Sequence, residues 1–295
     1  MLLMVFLAVV VVVCGNIIML ARVIARHRTS RFARIVWPGI ALLGALCVFY
    51  AFRVEPNWIQ ITHHRYESAK LPSGSRLRIV QLADIHLAEF GAREISMLSL
   101  TAWQHPDVIV LTGDHSVVKN AETEGKLTEI AKRLAKIAPT YAIEGNWDCE
   151  SDMLALQRGG VKVLSDWVEV KGRRGARVAL GVVPWNSGDF TPAPDSMQTD
   201  YAVVLCHVPD VAAQTAAGSV DLILAGHTHG GQVRLPIFGA LLPDRRLVGK
   251  YQAGGYTIDG TLLYVSRGVG LEGGPAPKVR FCCRPEVAVF DIVGK

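Results

Sequence analysis

Residues 1–53 contain no aspartate, glutamate or lysine, although they contain six arginines. The rest of the 295-residue chain carries the other 25 of the 31 basic residues and all 26 acidic residues. The net charge of +5 is therefore a property of the N-terminal segment. Because the body of the chain lacks the basic excess that is typical of nucleic-acid binding, no nucleic acid is expected as a partner.

The cysteines lack the spacing of a disulfide framework or of a C-x-x-C metal site. Two of them lie in apolar runs, and two others are adjacent to each other. We therefore interpret all six as small buried apolar residues; they are Cys14, Cys47, Cys149, Cys206, Cys282 and Cys283.

Two N-terminal runs lack charged residues altogether. Leu2 to Ala21 is long enough to cross a hydrocarbon core of about 30 Å. Ile35 to Phe52 is just long enough, and Pro38 is predicted in its first helical turn, where a missing N–H is tolerated. The first run lacks the preceding basic residue and the small-x-small site of a signal peptide. Residues 1–53 are therefore predicted to form a hairpin of two transmembrane helices, so a lipid bilayer is an expected partner.

The segment between the two runs predicts the orientation of this hairpin. It is short and carries five of the six arginines. Positive charge in a short loop is typical of the cytoplasmic side. The protein is therefore predicted to be a multi-pass membrane protein whose residues after Phe52 lie outside the cytoplasm. Residues 54–75 are interpreted as a linker, and residues 76–295 as the functional domain.

In the body of the chain, apolar runs of strand length each end in a polar motif. Runs with little polar alternation favour strands that are buried on both faces. Helical spacing over Glu94–Gln104 and Glu122–Ile137 places helices between the early strands, which predicts a parallel sheet. The predicted strands are Leu77–Ala83, Val108–Thr112, Tyr141–Ile143, Ala202–Cys206 and Leu222–Ala225. Functional groups gather beyond the carboxyl ends of such strands, so the five motifs are expected to converge.

The later half predicts a second, mixed sheet packed on the first, because strand-like runs there have short connections and glycine-rich turns. Trp185–Thr199 has the composition of a loop that borders the site. The strands expected in this half are Val161–Val170, Arg177–Val183, Gln232–Leu235, Thr261–Val265 and Val287–Ile292.

The five polar motifs supply two aspartates, four histidines and one asparagine. A mixture of carboxylate, imidazole and amide donors favours Mn, Fe or Zn over Mg or Ca, which prefer shells made only of oxygen. The motifs are Asp84-Ile85-His86, Gly113-Asp114-His115, Gly145-Asn146-Trp147-Asp148, His207 and Gly226-His227-Thr228-His229. Together they could hold a pair of divalent metal ions, which is suited to phosphoryl displacement.

The set resembles the calcineurin-like metallophosphoesterase family, whose pattern is D-x-H, G-D, G-N-H-[DE], H and G-H-x-H. The resemblance covers roughly residues 76–292. It implies an α/β fold, a four-layer α/β/β/α sandwich, and a binuclear centre with a bridging water or hydroxide as nucleophile. It also implies that one ion is held by Asp84, His86, Asp114 and His229, and the other by Asp114, Asn146, His207 and His227. Asp114 then bridges the two ions.

One position departs from the family pattern, because Trp147 stands where most members have a histidine that contacts the phosphate. Three explanations stay open. The substrate has a good leaving group, or His115 takes over the phosphate contact, or the centre is a weak or lapsed catalyst. The candidate catalytic residues are accordingly Asp114, Asn146 and His115. UDP-diacylglucosamine hydrolases, which also lack histidine here, cleave a pyrophosphate.

Two further features of the sequence concern the predicted activity. Arg267 follows a strand near the expected site, where it could bind phosphate or form a structural salt bridge. The chain lacks the Asp-Arg-Gly that follows the Gly-Asp motif in the family's protein phosphatases, which argues against that activity.

The expectation is a membrane-anchored phosphoesterase that hydrolyses a phosphodiester or pyrophosphate bond by metal-bound hydroxide. Its substrate would be a phosphorylated small molecule or a lipid-linked phosphate. A UDP-2,3-diacylglucosamine-type lipid pyrophosphatase is one alternative, although such a nucleotide–lipid substrate would be cytoplasmic. A non-catalytic metal-binding scaffold of the same fold is the other.

Overall fold

A computed structural model describes residues 31–194, 196–197, 199, 201–235, 239–240, 250–272 and 278–295, with isolated positions 15, 18 and 22. Apart from positions 15 and 18, the first predicted transmembrane helix, Leu2–Ala21, therefore lies outside the described residues, as does most of the arginine-rich loop. The predicted hairpin remains a prediction for this reason.

The second apolar run is helical. Helix α1, Arg31–Phe49, continues through a π-helical turn at Tyr50–Val54 and a 3₁₀ turn at Glu55–Asn57. Within the described part of the chain, Ile35–Asn57 is the one helical segment long and apolar enough to cross a membrane, with a mean hydropathy of 2.1. Pro38 lies inside α1 rather than in its first turn. The helix starts earlier than predicted, because arginine is a good helix former and does not end it.

The first sheet has six strands in the order β1-β14-β2-β3-β4-β5. Strands β2 to β5 are parallel to one another, β14 is antiparallel to β2, and β1 is parallel to β14. These strands are β1 Gln60–Ser68, β2 Arg76–Leu82, β3 Val108–Thr112, β4 Thr140–Ile143, β5 Lys162–Val163 and β14 Glu286–Gly294. The connecting helices are α2 Ala92–Trp103, α3 Ala121–Ile137 and α4 Glu150–Arg158.

The second sheet is mixed, as predicted, with the order β12-β13-β9-β8-β7-β6. Its four central strands are parallel and its two edge strands are antiparallel to their neighbours. The strands are β6 Val168–Lys171, β7 Arg177–Val183, β8 Tyr201–Cys206, β9 Leu222–Ala225, β12 Gly254–Ile258 and β13 Thr261–Val265. Helix α5, Pro209–Thr215, joins β8 to β9, and a short hairpin pairs β10 Arg234–Leu235 with β11 Gly239–Ala240.

Buried apolar side chains form three clusters on the two sheets. One cluster contains side chains of both sheets, including Ile79 and Leu180. A second covers the other side of the first sheet with helices α2 to α4, and a third covers the second sheet with α5. The regular alternation within each strand assigns successive residues to different clusters. The two sheets are thus joined by a shared core that fixes their strand ends relative to each other.

Two strand predictions are corrected by the structure. Residues 54–75, interpreted as a linker, contain β1, which extends the first sheet by pairing with β14. This edge strand is only partly buried, so its sequence, Gln60–Ser68, lacks the apolar run by which the other strands were found. The predicted strand Val161–Val170 is instead two strands, β5 and β6, which belong to different sheets.

The last strand also lies elsewhere than predicted. Val287–Ile292 was expected in the second sheet, but β14 lies between β1 and β2 in the first sheet. The prediction was wrong because it placed the strand with its neighbours in the sequence. The strand instead returns to the first sheet, where it pairs antiparallel with β2.

Candidate metal centre

Loops from both sheets converge beyond the carboxyl ends of their parallel strands. The amide of Asp84, after β2, donates to the carbonyl of Gly113, after β3, at 3.1 Å. The amide of Gly226, after β9, donates to the carbonyl of His207, after β8, at 3.1 Å. Five residues of these loops adopt positive φ angles, which for non-glycine residues indicates local strain; they are Asp84, His86, Asp114, His227 and His229.

The first donor group consists of Asp84, His86 and His229, all buried. Their ligand atoms lie within 4.8 Å of one another. Nε2 of His86 lies 3.0 Å from Nε2 of His229, and the latter nitrogen lies 3.9 Å from Oδ1 of Asp84. The backbone amide of His227 donates to both carboxylate oxygens of Asp84, at 2.9 and 3.1 Å, and so fixes its orientation.

The second donor group consists of Asp114, His207 and His227. Nε2 of His207 lies 3.2 Å from Oδ2 of Asp114 and 3.3 Å from Nδ1 of His227. Oδ1 of Asn146 lies 2.9 Å from both of these histidine nitrogens. The structure therefore places the asparagine beside this group, which is the group to which the family resemblance assigns it.

Asp114 lies between the two groups. Its Oδ2 is 3.5 Å from Nε2 of His86 in the first group and 3.2 Å from Nε2 of His207 in the second. Its other carboxylate oxygen accepts the backbone N–H of Trp147 at 2.9 Å. All seven candidate ligands thus lie in two adjoining clusters that share one carboxylate.

Glycines allow this close approach. A Cβ atom at Gly226 would lie 2.7 Å from Oδ2 of Asp84, and one at Gly145 would collide with Oδ1 of Asp114. Larger residues would displace the carboxylates, so both motifs require glycine at these positions.

The carboxylates of the two groups are perturbed in opposite directions. Burial raises the pKa of Asp84 to about 7, and the negative charge of Asp114 adds to this effect. Burial would also raise the pKa of Asp114, but the hydrogen bond and charge of His207 outweigh it and hold that pKa at about 2. Burial alone would lower the pKa of His207, yet the hydrogen bond and charge of Asp114 raise it to about 9.

The other three histidines are neutral at pH 7. Burial lowers the pKa of His86 and of His227 to about 4, and it lowers the pKa of His229 well below its usual value. A neutral imidazole has a free lone pair, which metal ligation requires.

The donor atoms fit a pair of transition-metal ions. Two buried neutral imidazoles turn their Nε2 atoms toward each other at 3.0 Å in the first group. In the second, Nδ1 of His207 lies 2.9 Å from the carbonyl of Thr112, which leaves Nε2 turned toward Asp114. Imidazole nitrogens and carboxylate oxygens that converge in this way are ligands that Mn, Fe and Zn accept.

Asp148 has a role that the sequence did not reveal. Its Oδ2 accepts the backbone N–H groups of Asp114 at 2.8 Å and Gly145 at 2.9 Å, while its Oδ1 accepts that of His115 at 2.7 Å. The carboxylate therefore fixes the loops after β3 and β4 to each other. The acid at the end of the Gly-Asn-x-Asp motif was the available signal.

The predicted phosphate contact of His115 is not supported by its position. The ring is buried, and its Nε2 lies 3.0 Å from the carbonyl of Ile143 and 3.6 Å from Oδ2 of Asp148. These contacts hold the ring in the protein interior rather than among the donor groups.

Trp147 lies at the rim of the centre. Its backbone N–H binds Asp114, while its indole is 37% exposed and makes an edge contact with the ring of His86, with centroids 6.1 Å apart. The residue therefore contributes a backbone donor to the centre and a large aromatic surface to its entrance.

Two arginines near the centre are structural. Nη2 of Arg267 lies 3.2 Å from Oε1 of Glu286, so the salt-bridge alternative is the one observed. Arg280 is fully buried and donates to the carbonyls of Gly268 at 3.1 Å and Gly270 at 2.6 Å. The amide of Gly270 in turn donates to the carbonyl of Asp84 at 2.7 Å. Arg280 thus supports the Asp84 loop, and no sequence motif indicated this.

Metal binding should release protons near neutral pH. In the ion-free centre His207 is protonated at pH 7, and Asp84 is about half protonated, because their pKa values are about 9 and about 7. Both must lose their protons to act as ligands, so Mn²⁺ affinity should fall as the pH decreases below 9. Titration calorimetry of the chelator-stripped protein at pH 7, in buffers of different ionisation enthalpy, should show release of about one proton or more.

The matched control for this titration is His63→Asn, since His63 is an exposed histidine of β1. It should leave the proton release unchanged. A binding enthalpy that is independent of the buffer would contradict the protonation states given above.

Comparison with known proteins identifies the family to which the chain belongs. The family model "Calcineurin-like phosphoesterase" matches residues 77–231. The chain is 31% identical over 257 residues to Phosphodiesterase YaeI of Escherichia coli, which covers 83% of this chain and 92% of that protein. It is 32% identical over 264 residues to the metallophosphoesterase YkuE of Bacillus subtilis, covering 82% and 88% of the two chains.

A more distant relative is the UDP-2,3-diacylglucosamine pyrophosphatase LpxG of Chlamydia trachomatis. The two are 23% identical over an alignment of 310 residues, and the alignment covers 82% of this chain and 91% of that protein. The chain therefore belongs to the calcineurin-like phosphoesterases and is a metallophosphoesterase, a hydrolase that acts on phosphate esters.

Proposed function

We propose that this phosphoesterase is anchored in a membrane and uses two divalent metal ions to hydrolyse a phosphodiester or pyrophosphate bond. The observation that carries the proposal is the position of Asp114, whose Oδ2 lies within 3.5 Å of a histidine from each donor group. A shared carboxylate is the arrangement needed by metal pairs about 3.5–4 Å apart.

The ligand assignment follows the two clusters. Asp84, His86 and His229 would hold one ion, while His207, His227 and Asn146 would hold the other. Asp114 would contribute an oxygen to both. The mixture of imidazole and oxygen donors favours Mn, Fe or Zn. When bound, the ions would lower the pKa of water toward neutrality and neutralise charge on the phosphate.

Three side chains beside the donor groups, those of Trp147, Asp148 and His115, favour a substrate with a good leaving group. Trp147 has no proton to donate at neutral pH, Asp148 is occupied by three backbone amides, and His115 is buried. A leaving oxygen that is a weak base departs without protonation, as in a pyrophosphate or an aryl ester. A strongly basic alkoxide would need the proton that these side chains do not supply.

Membrane anchoring is supported by the segment Ile35–Asn57, which contains an apolar window of 18 residues that is only 6% buried in the protein. An anchored centre favours a lipid-linked phosphate as substrate.

The arginine-rich segment predicts an extracytoplasmic domain of residues 76–295. A fusion after Lys295 should therefore be active with a reporter that works outside the cytoplasm; activity only with a cytoplasmic reporter would contradict this orientation. The four-layer α/β/β/α arrangement is also part of the proposal, in keeping with the three apolar clusters.

A second candidate function is a lipid pyrophosphatase of the UDP-2,3-diacylglucosamine type. The relative LpxG carries this activity in its name. The absence of a histidine at position 147 is compatible with cleavage of a pyrophosphate. Such a substrate is cytoplasmic, so the orientation experiment bears on this candidate directly.

Activity should depend on Asp114. The full chain, purified in detergent with Mn²⁺, should hydrolyse bis(p-nitrophenyl) phosphate or a lipid-linked pyrophosphate, because the shared carboxylate holds both ions. Asp114→Ala should lower kcat/KM by about 10²-fold or more. Initial rates with Mn²⁺, Fe²⁺ and Zn²⁺ across both substrates provide the measurement.

Glu129→Ala is the control for this assay, since Glu129 is an exposed carboxylate on α3 that pairs with Arg133. It should retain wild-type rates. If the wild type is no faster than Asp114→Ala with every metal and substrate, the scaffold alternative replaces the enzyme.

Trp147→His should widen the range of leaving groups. The substitution keeps the backbone N–H that binds Asp114 and adds a proton donor beside the centre. Rates on alkyl phosphodiesters should rise by about 10-fold or more, because general acid catalysis assists a basic leaving oxygen. Rates on bis(p-nitrophenyl) phosphate should stay unchanged, since p-nitrophenolate needs no proton.

Steady-state kinetics on the two ester classes provide the comparison, with Trp147→Phe as the aromatic control that lacks a proton. An equal change on both classes in Trp147→His would show that the indole affects access rather than leaving-group protonation.

A further inference from the structure

The end of the candidate membrane helix reaches into the interior of the domain. Glu55, in the 3₁₀ turn that follows α1, is completely buried. Its Oε2 accepts the backbone N–H of Cys282 at 2.8 Å, and its Oε1 accepts that of Cys283. Cys282 has a φ of +52°, so the two successive amides point to the same side. Such a pair of amides forms a concave site for an anion.

The segment held by Glu55 contacts the loop of the first donor group. Sγ of Cys283 lies 3.3 Å from the carbonyl of His229 and 3.7 Å from that of Gly230. The packing is close, because a Cβ atom at Gly230 would lie 2.9 Å from this sulfur. A shift of Cys283 would therefore be transmitted to the backbone of His229.

The same segment also contacts the Asp84 side of the group. The amide of Arg280 donates to the carbonyl of Ala51 in the helix end at 3.1 Å, and the ring of Phe281 makes an edge contact with Tyr50. The guanidinium of Arg280 holds the loop that binds the carbonyl of Asp84. Residues 280–283 thus lie between the helix end on one side and both Asp84 and His229 on the other.

The chemistry of Glu55 argues for a specific role. A buried carboxylate costs much free energy unless hydrogen bonds compensate for its lost hydration. Charge-assisted bonds to two backbone amides provide that compensation and fix both partners more firmly than a neutral side chain would. An apolar residue would bury this helix end with no such cost, but it would leave the two amides unpaired.

We propose that Glu55 is a positioning residue for the metal site formed by Asp84, His86 and His229. By holding the amides of Cys282 and Cys283, it fixes Cys283 against His229 and so sets the affinity of this site for its ion. The site formed by Asp114, His207 and His227 does not depend on it. The membrane helix is then part of the metal centre rather than only a tether. This inference rests on the proposed two-metal function.

The test compares Glu55→Ala and Glu55→Gln with the wild type as full chains in detergent. Mn²⁺ affinity at each site is measured by competition with a fluorescent chelator, and the thermal midpoint is measured in excess chelator. Glu55→Ala should weaken one of the two Mn²⁺ sites by about 10–100-fold and leave the other unchanged, which is the usual effect of removing a group that orients a ligand. Glu55→Gln keeps one acceptor oxygen and should weaken the same site less.

Electron paramagnetic resonance of the Mn²⁺ protein gives an independent readout, because coupling between paired ions should be lost in Glu55→Ala at limiting metal. Glu67→Ala, which removes an exposed carboxylate on β1, should match the wild type in both measurements.

Lower thermal midpoints in both Glu55 variants with two unchanged affinities would overturn the proposal, as would equal weakening of both sites. Wild-type protein that binds no Mn²⁺ pair would instead contradict the proposed function.

Discussion

The structure of the centre depends on one carboxylate, Asp114, at the end of β3. It contacts a histidine from each donor group and accepts the amide of Trp147. Two sheets that share one apolar core place their strand ends beside it, so loops far apart in sequence supply ligands to a single site. If Asp114 moved, the two groups would no longer be joined, and the paired arrangement would become two separate sites.

The protein stabilises this carboxylate at considerable cost. Asp84, Asp114 and His207 are buried, and several loop residues have strained backbones. Asp148 compensates by binding three loop amides, and Arg280 by binding several carbonyls of the loop next to Asp84. The groups that surround the donors therefore fix the positions of the loops that carry them, and such groups are important for metal affinity.

The candidate ligands could be selected from the sequence because each of them follows an apolar run that forms a buried strand. Strand ends and residue types are local properties, and the five motifs in the family order led to the proposed ligand set. The direction of the His115 side chain could not be predicted in this way, since it depends on how the loop after β3 is held by Asp148. Arg280 and Glu55 gave no signal either, because both bind backbone groups of distant segments. Strand β1 was missed because an edge strand needs no apolar run.

Residues beside the donor groups also affect what the centre can do chemically. Trp147 lies partly exposed beside His86, at the position where the family pattern has a histidine, and its indole is not an acid at neutral pH. The contacts from the end of α1 through Cys283 to His229 also connect the centre to the N-terminal apolar segment.

X-ray diffraction from crystals of the full chain grown with Mn²⁺, recorded at the manganese absorption edge, tests the two-metal centre most directly. The account predicts two anomalous peaks about 3.5–4 Å apart, one beside Asp84, His86 and His229 and the other beside His207, His227 and Asn146, with Asp114 between them. A single peak, or two peaks that do not share Asp114, would contradict it.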